Sequence, residues 1–579
     1  MPRASLLQLP EELRLRVVEY ITLKSDLKSL CETCSALRVV ANPLLYRRII
    51  LRLWSRRAVD RLQKSNLAGA GLHFQHTKEL IIEDSPPGEE LFTIHSGRIR
   101  PPLLDRRVDA HYLNAYEKDN YAYSFLQIMH HHQLERLWYH SRRPLSPVVK
   151  THLRNYQTKI QDLQIGLYTD PGSPEVLPRI FCGLQRLDLY LNGPVDNYDK
   201  WVTLLFNNIE AVGANLKSLS LTAEEAEDVN GPLNTWAMGE QNDLTRFTPM
   251  LEELTLFNFT FEDVFEGLSL IVDFHRLARL KLLGSYGGAQ DFFEHLADRA
   301  KGKRLNLKHI AIELAGDLSP SGADTLGGSL KQIFKASEPL ESFHIRCDEA
   351  DPDESPTYSY LEYLHRAGHN LQSLSFHANQ YNRGEYDSDA ANLLLEIGQD
   401  FSFHGLKQLA IYFEEMSMLS GIWGMEGFEP MLITALSRFP ELRLLHLRLP
   451  HCVRMGCAEL GGGWDTSILV LQLQTFASRI FESLNAEVLK KTGAESKLDA
   501  LVIGHVATLG DPDNLDLVRP LPQQCFVRGE QRDILGRTVP VAVPVTRMML
   551  RETQPYTDIL EVDVHSASDA WEVWAARPM

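Results

Sequence analysis

Residues 251–256 read LEELTL, and residues 277–282 repeat the pattern as LARLKL. The last two apolar residues of this phrase are two positions apart, so in an extended backbone they point to the same side, which predicts a short strand. The first apolar residue lies three positions earlier, on the turn that leads in. With apolar substitutes allowed, the phrase occurs twelve times, with its central residue at Leu137, Leu163, Leu187, Leu219, Leu254, Leu280, Ile310, Phe343, Leu374, Leu409, Leu445 and Leu501.

The spacing of these phrases defines a structural repeat. Between residues 163 and 445 the central residues follow one another at intervals of 24 to 36 positions, which fits one strand and one helix per repeat. The intervening segments carry apolar residues at helical spacing, such as Phe292, Phe293 and Leu296. The predicted fold class is therefore α/β: a solenoid with parallel strands on the concave side and helices outside, in which each unit covers the apolar face of the next.

This pattern resembles a leucine-rich repeat array in degenerate form. The Asn that the family places three residues after the strand is present at Asn192 and Asn379 but is replaced in most other repeats. The predicted repeat domain spans residues 134–509, with a helical insertion near residues 456–491. Residues 510–579 contain many prolines and two β-like runs, 539–545 and 559–564, and are predicted to cap the last repeat.

Ahead of the repeats, residues 9–51 read LPEELRLRVVEYITLKSDLKSLCETCSALRVVANPLLYRRIIL. Apolar residues at helical spacing predict three short helices: one after Pro10, one after Asp26, and a third that breaks at Pro43 and continues through Ile49. A unit of about 45 residues buries too little apolar surface to offset its chain entropy comfortably. Some of its apolar side chains are therefore expected to face a partner.

The order of these residues resembles an F-box of the form common in fungal proteins, which ends in a run like PLLYR at residues 43–47. The resemblance covers residues 1–50 and departs from the family at Leu37, where many members carry Trp. It implies docking on the Skp-type adaptor of a cullin-based (SCF) ubiquitin ligase, with adaptor contacts at Leu9, Pro10, Leu13, Leu27, Leu30, Leu37 and Leu45. The alternative is a small helical start to the main domain without an outside partner. Residues 51–133 are expected to be a linker and the N-terminal cap of the solenoid.

Length, composition and charge exclude several classes of protein. The chain has 579 residues, 44% hydrophobic and 23% charged, an ordinary globular composition for several domains or one elongated array. The sequence has neither a signal-peptide pattern nor a long uncharged apolar run, so we expect an intracellular protein, cytoplasmic or nuclear, with no membrane contact. Seven scattered cysteines argue against a disulfide framework. A net charge of −17 argues against a broad nucleic-acid-binding surface.

Candidate chemical sites carry weak signals. Cys31 and Cys34 have the spacing of a redox motif or of one ligand pair of a zinc site, but no second pair follows, so core thiols are expected. The run of three histidines at residues 130–132 lacks other ligands at metal spacing. The acidic residues 348–354 lack the pattern of a calcium loop and are either a solvated insertion or a site for a basic peptide. Nucleophile-elbow, zincin and dinucleotide motifs are missing from the sequence, so we expect no cofactor and no enzyme activity.

Two functions are in view from these patterns. In the first, the N-terminal helices attach to the adaptor and through it to the cullin, while the solenoid holds an unidentified target protein near the ubiquitin carrier. The protein then raises the rate of ubiquitin transfer by proximity alone. The alternative is a non-catalytic interaction scaffold that acts outside ubiquitin transfer. A repeat-fold enzyme would instead require titratable groups clustered on the concave face.

Overall fold

The structure is a computed structural model. The chain forms two compact units: the first comprises residues 1–224 and 242–251, and the second comprises residues 225–241 and 252–579. Among the described residues, no helix is both long enough and apolar enough to cross a membrane. The described residues are 6–21, 24–53, 55–83, 113–140, 145–168, 183–192, 215–223, 250–257, 259, 261, 264–269, 272–285, 288–314, 320–337, 340–347, 364, 370–378, 403, 405–412, 428–448, 466–504, 524–532, 534–545, 550, 554 and 558–561.

The first unit begins with a cluster of three helices. They are α1 (Glu11–Glu19), α2 (Lys24–Thr33) and α3 (Ser35–Leu45), and a 3₁₀ turn at Leu6–Gln8 precedes them. The three predicted helices are thus confirmed. Their shared core consists of six side chains that are at most 7% exposed: Val18, Leu27, Cys31, Leu37, Val40 and Ala41. So small a core leaves much of the apolar surface of the cluster outside it.

The end of α3 differs from the sequence-based prediction. Pro43 lies inside the helix, in its last turn, instead of breaking it. The helix ends at Leu45, and the Tyr46 N–H still donates to the Asn42 carbonyl at 3.0 Å. Ile49, predicted to continue the helix, instead belongs to strand β1 (Arg48–Arg52).

The described strands of the first unit form a parallel sheet in chain order. After β1 come β2 (Glu79–Glu83), β3 (Arg136–His140), β4 (Asp162–Tyr168), β5 (Arg186–Asn192) and β6 (Ser218–Ala223). The helices described between them are α4 (Arg56–Leu67), a 3₁₀ helix at Ala70–His76, α5 (Ala115–Ile128) and α6 (Pro147–Tyr156). The sheet therefore starts at β1, well before residue 134, where the repeat domain was predicted to begin.

The second unit continues the same strand and helix alternation. Its parallel strands are β7 (Glu253–Phe257), β8 (Arg279–Ser285), β9 (His309–Leu314), β10 (Ser342–Cys347), β11 (Ser373–Ala378), β12 (Gln408–Tyr412), β13 (Leu444–Arg448) and β14 (Ala500–Ile503). An antiparallel hairpin of β15 (Gln524–Arg532) and β16 (Thr538–Val545) extends this sheet beyond β14. The described helices are α7 (Val264–Ser269), α8 (Ala289–Ala300), α9 (Pro320–Ala336), α10 (Phe428–Leu436) and α11 (Thr466–Thr492).

All twelve predicted phrases form strands, β3 to β14, so the strand prediction is confirmed. In β7 and β8 the two strand leucines of each phrase are completely buried, as the same-side argument requires. Register is fixed just before each strand: the N–H groups of Ala278 and Arg279 donate to the Glu252 carbonyl at 2.8 and 3.0 Å. A long helix is confirmed within the insertion predicted near residues 456–491: it is α11 (Thr466–Thr492). Asn379 and the acidic run 348–354 lie outside the described residues.

The outer edge of β16 is closed to further strand pairing. Pro540, Ala542 and Pro544 alternate along the side away from β15, and proline offers no N–H to a neighbouring strand. Ala542, between the two prolines, bonds to α11: its N–H donates to Ser478 Oγ at 2.9 Å, and Gln474 Nε2 donates to its carbonyl at 2.9 Å. A sheet edge that would otherwise invite aggregation is thereby covered.

The C-terminal segment packs on the strand face opposite the helices. Leu550, Ile559 and Leu560 are completely buried, and the Ile559 N–H donates to Gln408 Oε1 at 3.0 Å. The β-like run predicted from residue 559 is wrong at its start, because Asp558–Glu561 form a 3₁₀ helix. The segment packs in one cluster with residues of β12 to β15, namely Ala410, Leu444, Ala500, Val502 and Cys525.

Candidate functional site

One side of the N-terminal helix cluster exposes apolar residues together. We call it the α1 face and define it as Leu7, Pro10, Leu13, Val17 and Tyr20. Leu7 is 52% exposed, Leu13 51%, Val17 44% and Tyr20 86%, and Pro10 is also exposed. The last four follow one another at intervals of three or four positions, so they lie along one side of α1. Exposed apolar side chains gathered on one side of a helix are candidates for a binding site, which isolated exposed residues are not.

The opposite side of α1 holds the helix in place. Val18 is completely buried, and Leu15 packs against the same core. Arg14 Nη1 donates to the Ala36 carbonyl at 3.5 Å, which ties α1 to the start of α3. The residues that anchor the helix differ from those on the α1 face. The side chains of the α1 face can therefore be changed without removing the contacts that hold α1 in the cluster.

The seven residues predicted to contact the adaptor fall into two groups. Pro10 and Leu13 are exposed and Leu9 is partly exposed, all at the start of α1. The others contribute to the cluster's own core, with Leu27 and Leu37 only 4% and 7% exposed and Leu30 and Leu45 partly buried. In this conformation the first group is the more accessible one, and the buried Leu27 and Leu37 can affect a partner only by supporting the helices.

The sequence reasoning missed Val17 and Tyr20, which extend the accessible group along α1. The available signal was their spacing from Leu13, four and seven positions, on the side of the helix next to the buried Val18. Periodicity identifies such a stripe, but it does not say which half of a wide stripe faces the core when three helices share so small a core.

The two cysteines of the cluster serve its packing. Cys31 is 7% exposed, and its Sγ donates to Asn42 Oδ1 at 3.3 Å. Burial raises the pKa of the Cys31 thiol, and the nearby Arg38 guanidinium opposes this only in part. Burial thus disfavours the reactive thiolate, so Cys31 behaves as a core group.

In the first unit, the strand face opposite the repeat leucines carries an ionic network centred on Arg136. Its guanidinium bridges two neighbouring strands, at 3.4 Å from Glu79 Oε2 and 2.8 Å from Asp162 Oδ2. Both carboxylate side chains are nearly buried, at 8% and 12% exposure. The Trp138 ring lies 5.5 Å from the Arg136 guanidinium, and its Nε1 donates to Asp162 Oδ1 at 3.4 Å. The network fixes strand register and satisfies charges that would be costly if unpaired.

The corresponding strand face of the second unit also holds buried polar pairs. Ser342 Oγ and His344 Nε2 are 2.6 Å apart, and Arg448 Nη2 donates to Ser375 Oγ at 2.7 Å. These four side chains are at most 5% exposed, so a substrate cannot reach the Ser342 hydroxyl in this conformation. Over β12 to β14 the C-terminal segment occupies the same face.

His309, at the start of β9, has a strongly perturbed pKa. Burial is the main cause that lowers this pKa to about 4, and Arg279 and Lys281 of β8 act in the same direction. Glu341 and Glu253 oppose the shift, with Glu341 Oε2 at 3.8 Å from His309 Nε2. The imidazole is therefore neutral in the folded protein over the physiological range.

We expect the His309 imidazole to make the protein less stable as the pH falls from 6.5 to 4. In the unfolded chain this side chain has the ordinary histidine pKa of 6.5, so between pH 6.5 and pH 4 it binds a proton in the unfolded state but not in the folded state. Proton binding therefore favours unfolding in this range. By pH 5 the loss amounts to about 2 kcal/mol. Chemical denaturation at pH 7 and pH 5 should therefore show a smaller loss for His309→Gln, whereas the exposed control His130→Gln should keep the wild-type loss. Equal losses in wild type and His309→Gln would contradict this assignment.

Side chains that bind metals are not clustered in the described part of the chain. No group of three or more His, Cys, Asp or Glu side chains there is arranged to hold a metal ion. In the run of histidines at residues 130–132, the centroid of the His131 ring lies 4.5 Å from that of the Tyr156 ring, with the two planes tilted, and His132 Nδ1 lies 3.0 Å from Thr158 Oγ1.

No protein-family model matches the chain, and no curated protein matches its sequence. The α1 face is thus the site with the clearest physical signature.

Proposed function

We propose that the N-terminal helices are an F-box and that the chain is the substrate-recognition subunit of an SCF-type ubiquitin ligase. In this proposal the α1 face docks on the Skp-type adaptor and, through it, on the cullin. The observation that carries it is the exposure of Leu13, Val17 and Tyr20 on one side of a helix whose sequence follows the F-box pattern. The protein acts inside the cell, in the cytoplasm or the nucleus.

The energetics favour a protein partner at this place. Full burial of one large apolar side chain contributes about 1.5–3 kcal/mol. Leu13, Val17 and Tyr20 are each at least 44% exposed in the free chain, so a partner that covers them gains a substantial part of this free energy. An apolar centre with a polar rim is the usual composition of a stable interface. Glu12 and Arg16 are exposed on the same helix and supply rim charges.

The remainder of the chain is, in this proposal, a degenerate leucine-rich-repeat solenoid that holds the target. Support comes from the one-to-one match of twelve phrases with twelve strands and from the parallel pairing of consecutive strands within each unit. The protein itself performs no chemistry. It raises the effective concentration of a target lysine near the ubiquitin carrier, which is a rate effect of proximity.

The test is reconstitution of the full-length chain with a purified Skp-type adaptor, with and without cullin. The proposal expects a stoichiometric complex with the adaptor that also recruits cullin. If the adaptor binds but cullin is excluded, the protein is an interaction scaffold outside ubiquitin transfer; if the adaptor does not bind, the F-box assignment fails. Deletion of residues 1–50 is a poor control, because it removes three residues of β1. Point changes on the α1 face avoid this damage.

A further inference from the structure

The second unit has a cavity of about 440 Å³ where the C-terminal ends of α8 and α9 meet. Four of its ten lining residues are cationic, and no carboxylate is among them. The chain as a whole is strongly acidic, with a net charge of −17, so this concentration of positive charge runs against the average of the surface. The cations are Lys301, Lys303, Arg304 and Lys335.

The backbone fixes the segment that brings these cations together. α8 ends at Ala300, and Gly302 then adopts a φ of +76°, a conformation that favours glycine and turns the chain. The completely buried Leu305 anchors the far end of the turn, since its N–H donates to the carbonyl of Ala336 at 2.8 Å. Residues 301–304 are therefore held against the end of α9, and the side chains from both segments line one cavity.

A simpler role for these cations is to offset the negative C-terminal ends of the two helices. Each end carries roughly half an elementary charge, and Asp298 also pairs with Lys301. Because Arg304 already interacts elsewhere, only the three lysines remain to be balanced, and these contributions offset about two of their charges. About one positive charge remains, which is more than the helix ends require. Lys303 and Lys335 have no ion pair with any described residue, which leaves them the best placed to receive an anion.

We propose that this cavity binds a phosphate monoester dianion. Lysine and arginine side chains form charge-assisted hydrogen bonds to phosphate oxygens, which are among the strongest in proteins. The volume lies in the range of ligand sites and exceeds what a bare phosphate needs, and the small residues Ala297, Ala300 and Ala336 in its lining leave room for the esterified group. The site is a short, open pocket lined by exposed cations, unlike the long basic stripe that an extended nucleic acid requires.

The test is calorimetric titration of the full-length chain with two probes that share this chemistry, glycerol 2-phosphate and a short peptide containing one phosphoserine. Saturable binding of the first identifies a small phosphorylated molecule as the source, and binding of the second alone identifies a phosphorylated protein. Lys303→Gln combined with Lys335→Gln should weaken binding at least tenfold, since each lost charged hydrogen bond contributes about a tenfold factor. The control Lys497→Gln changes an exposed lysine that pairs with Glu441 elsewhere and should bind as wild type does.

The result that overturns the site is the absence of saturable binding of either probe at millimolar concentration. Equal affinity of wild type and the double variant also overturns it. If the double variant lowers the melting temperature and leaves binding unchanged, the lysines serve only the helix ends. None of these outcomes depends on the adaptor, so they leave the proposed function untouched.

Discussion

Changing Leu13 to glutamate and Val17 to lysine together should abolish capture of the Skp-type adaptor while the melting temperature stays at the wild-type value. Both side chains are about half exposed in the free chain, at 51% and 44%, so charge is tolerated there without a partner. In the complex the two charges would be covered by apolar surface and left without compensation. We expect the affinity to fall more than about 100-fold, as measured by titration of purified adaptor into the full-length variant.

The double change is designed to preserve the helix. A glutamate near the start of α1 and a lysine near its end complement the helix dipole, and the two charges attract each other at a spacing of four residues. A loss of binding therefore cannot be attributed to unfolding of α1 when the circular dichroism and melting curves match those of wild type.

Two controls separate the α1 face from the rest of the cluster. Val39→Glu places a charge on α3 at a residue that is 59% exposed but outside the α1 face, and it should leave capture unchanged. Leu37→Ala shortens a core side chain that is 7% exposed and should lower the free energy of unfolding of the cluster by about 2–5 kcal/mol. Wild-type capture by the Leu13 and Val17 variant, or an equal loss with Val39→Glu, would contradict docking on the α1 face.

A second copy of the chain is the competing occupant of the α1 face. Size-exclusion chromatography with light scattering distinguishes the two cases before any adaptor is added. A wild-type dimer that the changes at Leu13 and Val17 convert to a monomer would show that the surface joins copies of the chain, and the adaptor proposal would then fail.

The strands were predictable because their signal is local and repeated. In a phrase such as LEELTL at residues 251–256, the two side chains that enter the core lie two positions apart and the third lies at a fixed distance, so a single phrase already specifies strand, face and turn. Repetition then supplies the tertiary contacts, because each strand pairs with the next one in the chain.

The elements that sequence reasoning misplaced are those whose state is set by neighbours. Residues 48–52 read RIILR and would suit a helix or a strand, and they become β1 because β2 is available to pair with them. Short apolar runs of this kind cannot be assigned by periodicity alone. Likewise Pro43 reads as a helix breaker in sequence, but it lies inside α3, in the last turn.

The candidate site was predictable in position but not in orientation. The N-terminal pattern located the apolar surface, yet two of the predicted contacts, Leu27 and Leu37, are buried. Tyr20, which was not among the predicted contacts, is 86% exposed. Which apolar residues a three-helix cluster covers depends on how its helices cross, and that geometry is absent from a single sequence. Buried polar residues are still harder to predict, since nothing in the sequence distinguishes them from exposed polar residues.

Gln157 is the clearest example of a buried polar residue that the sequence does not reveal. It follows α6, and its side chain is completely enclosed. Its Oε1 accepts the backbone N–H groups of Gln133 and Leu134, each at 3.1 Å, and its Nε2 donates to the His130 carbonyl at 3.0 Å. One side chain thus satisfies three backbone groups in the turn that leads into β3.

Gln157→Leu should therefore lower the free energy of unfolding of the first unit by about 2–5 kcal/mol. Leucine fills a similar volume but leaves two buried N–H groups without an acceptor, and each such group costs about 1–3 kcal/mol. Chemical denaturation measures the total loss. Hydrogen exchange of a peptide covering residues 130–136 locates it, because the amides of Gln133 and Leu134 should exchange faster than in wild type.

The matched control for this prediction is Gln161→Leu, which makes the same replacement at an exposed side chain just before β4. Its backbone N–H bonds to the Glu135 carbonyl at 2.8 Å in either case, so its stability should stay within about 0.5 kcal/mol of wild type. If Gln157→Leu were as stable as this control, water or a rearranged turn would have replaced the lost acceptor, and the hydrogen bonds of Gln157 would not determine how the chain enters β3. Unchanged exchange at residues 133 and 134 in a destabilised variant would instead attribute the loss to packing, because the two amides would still be satisfied.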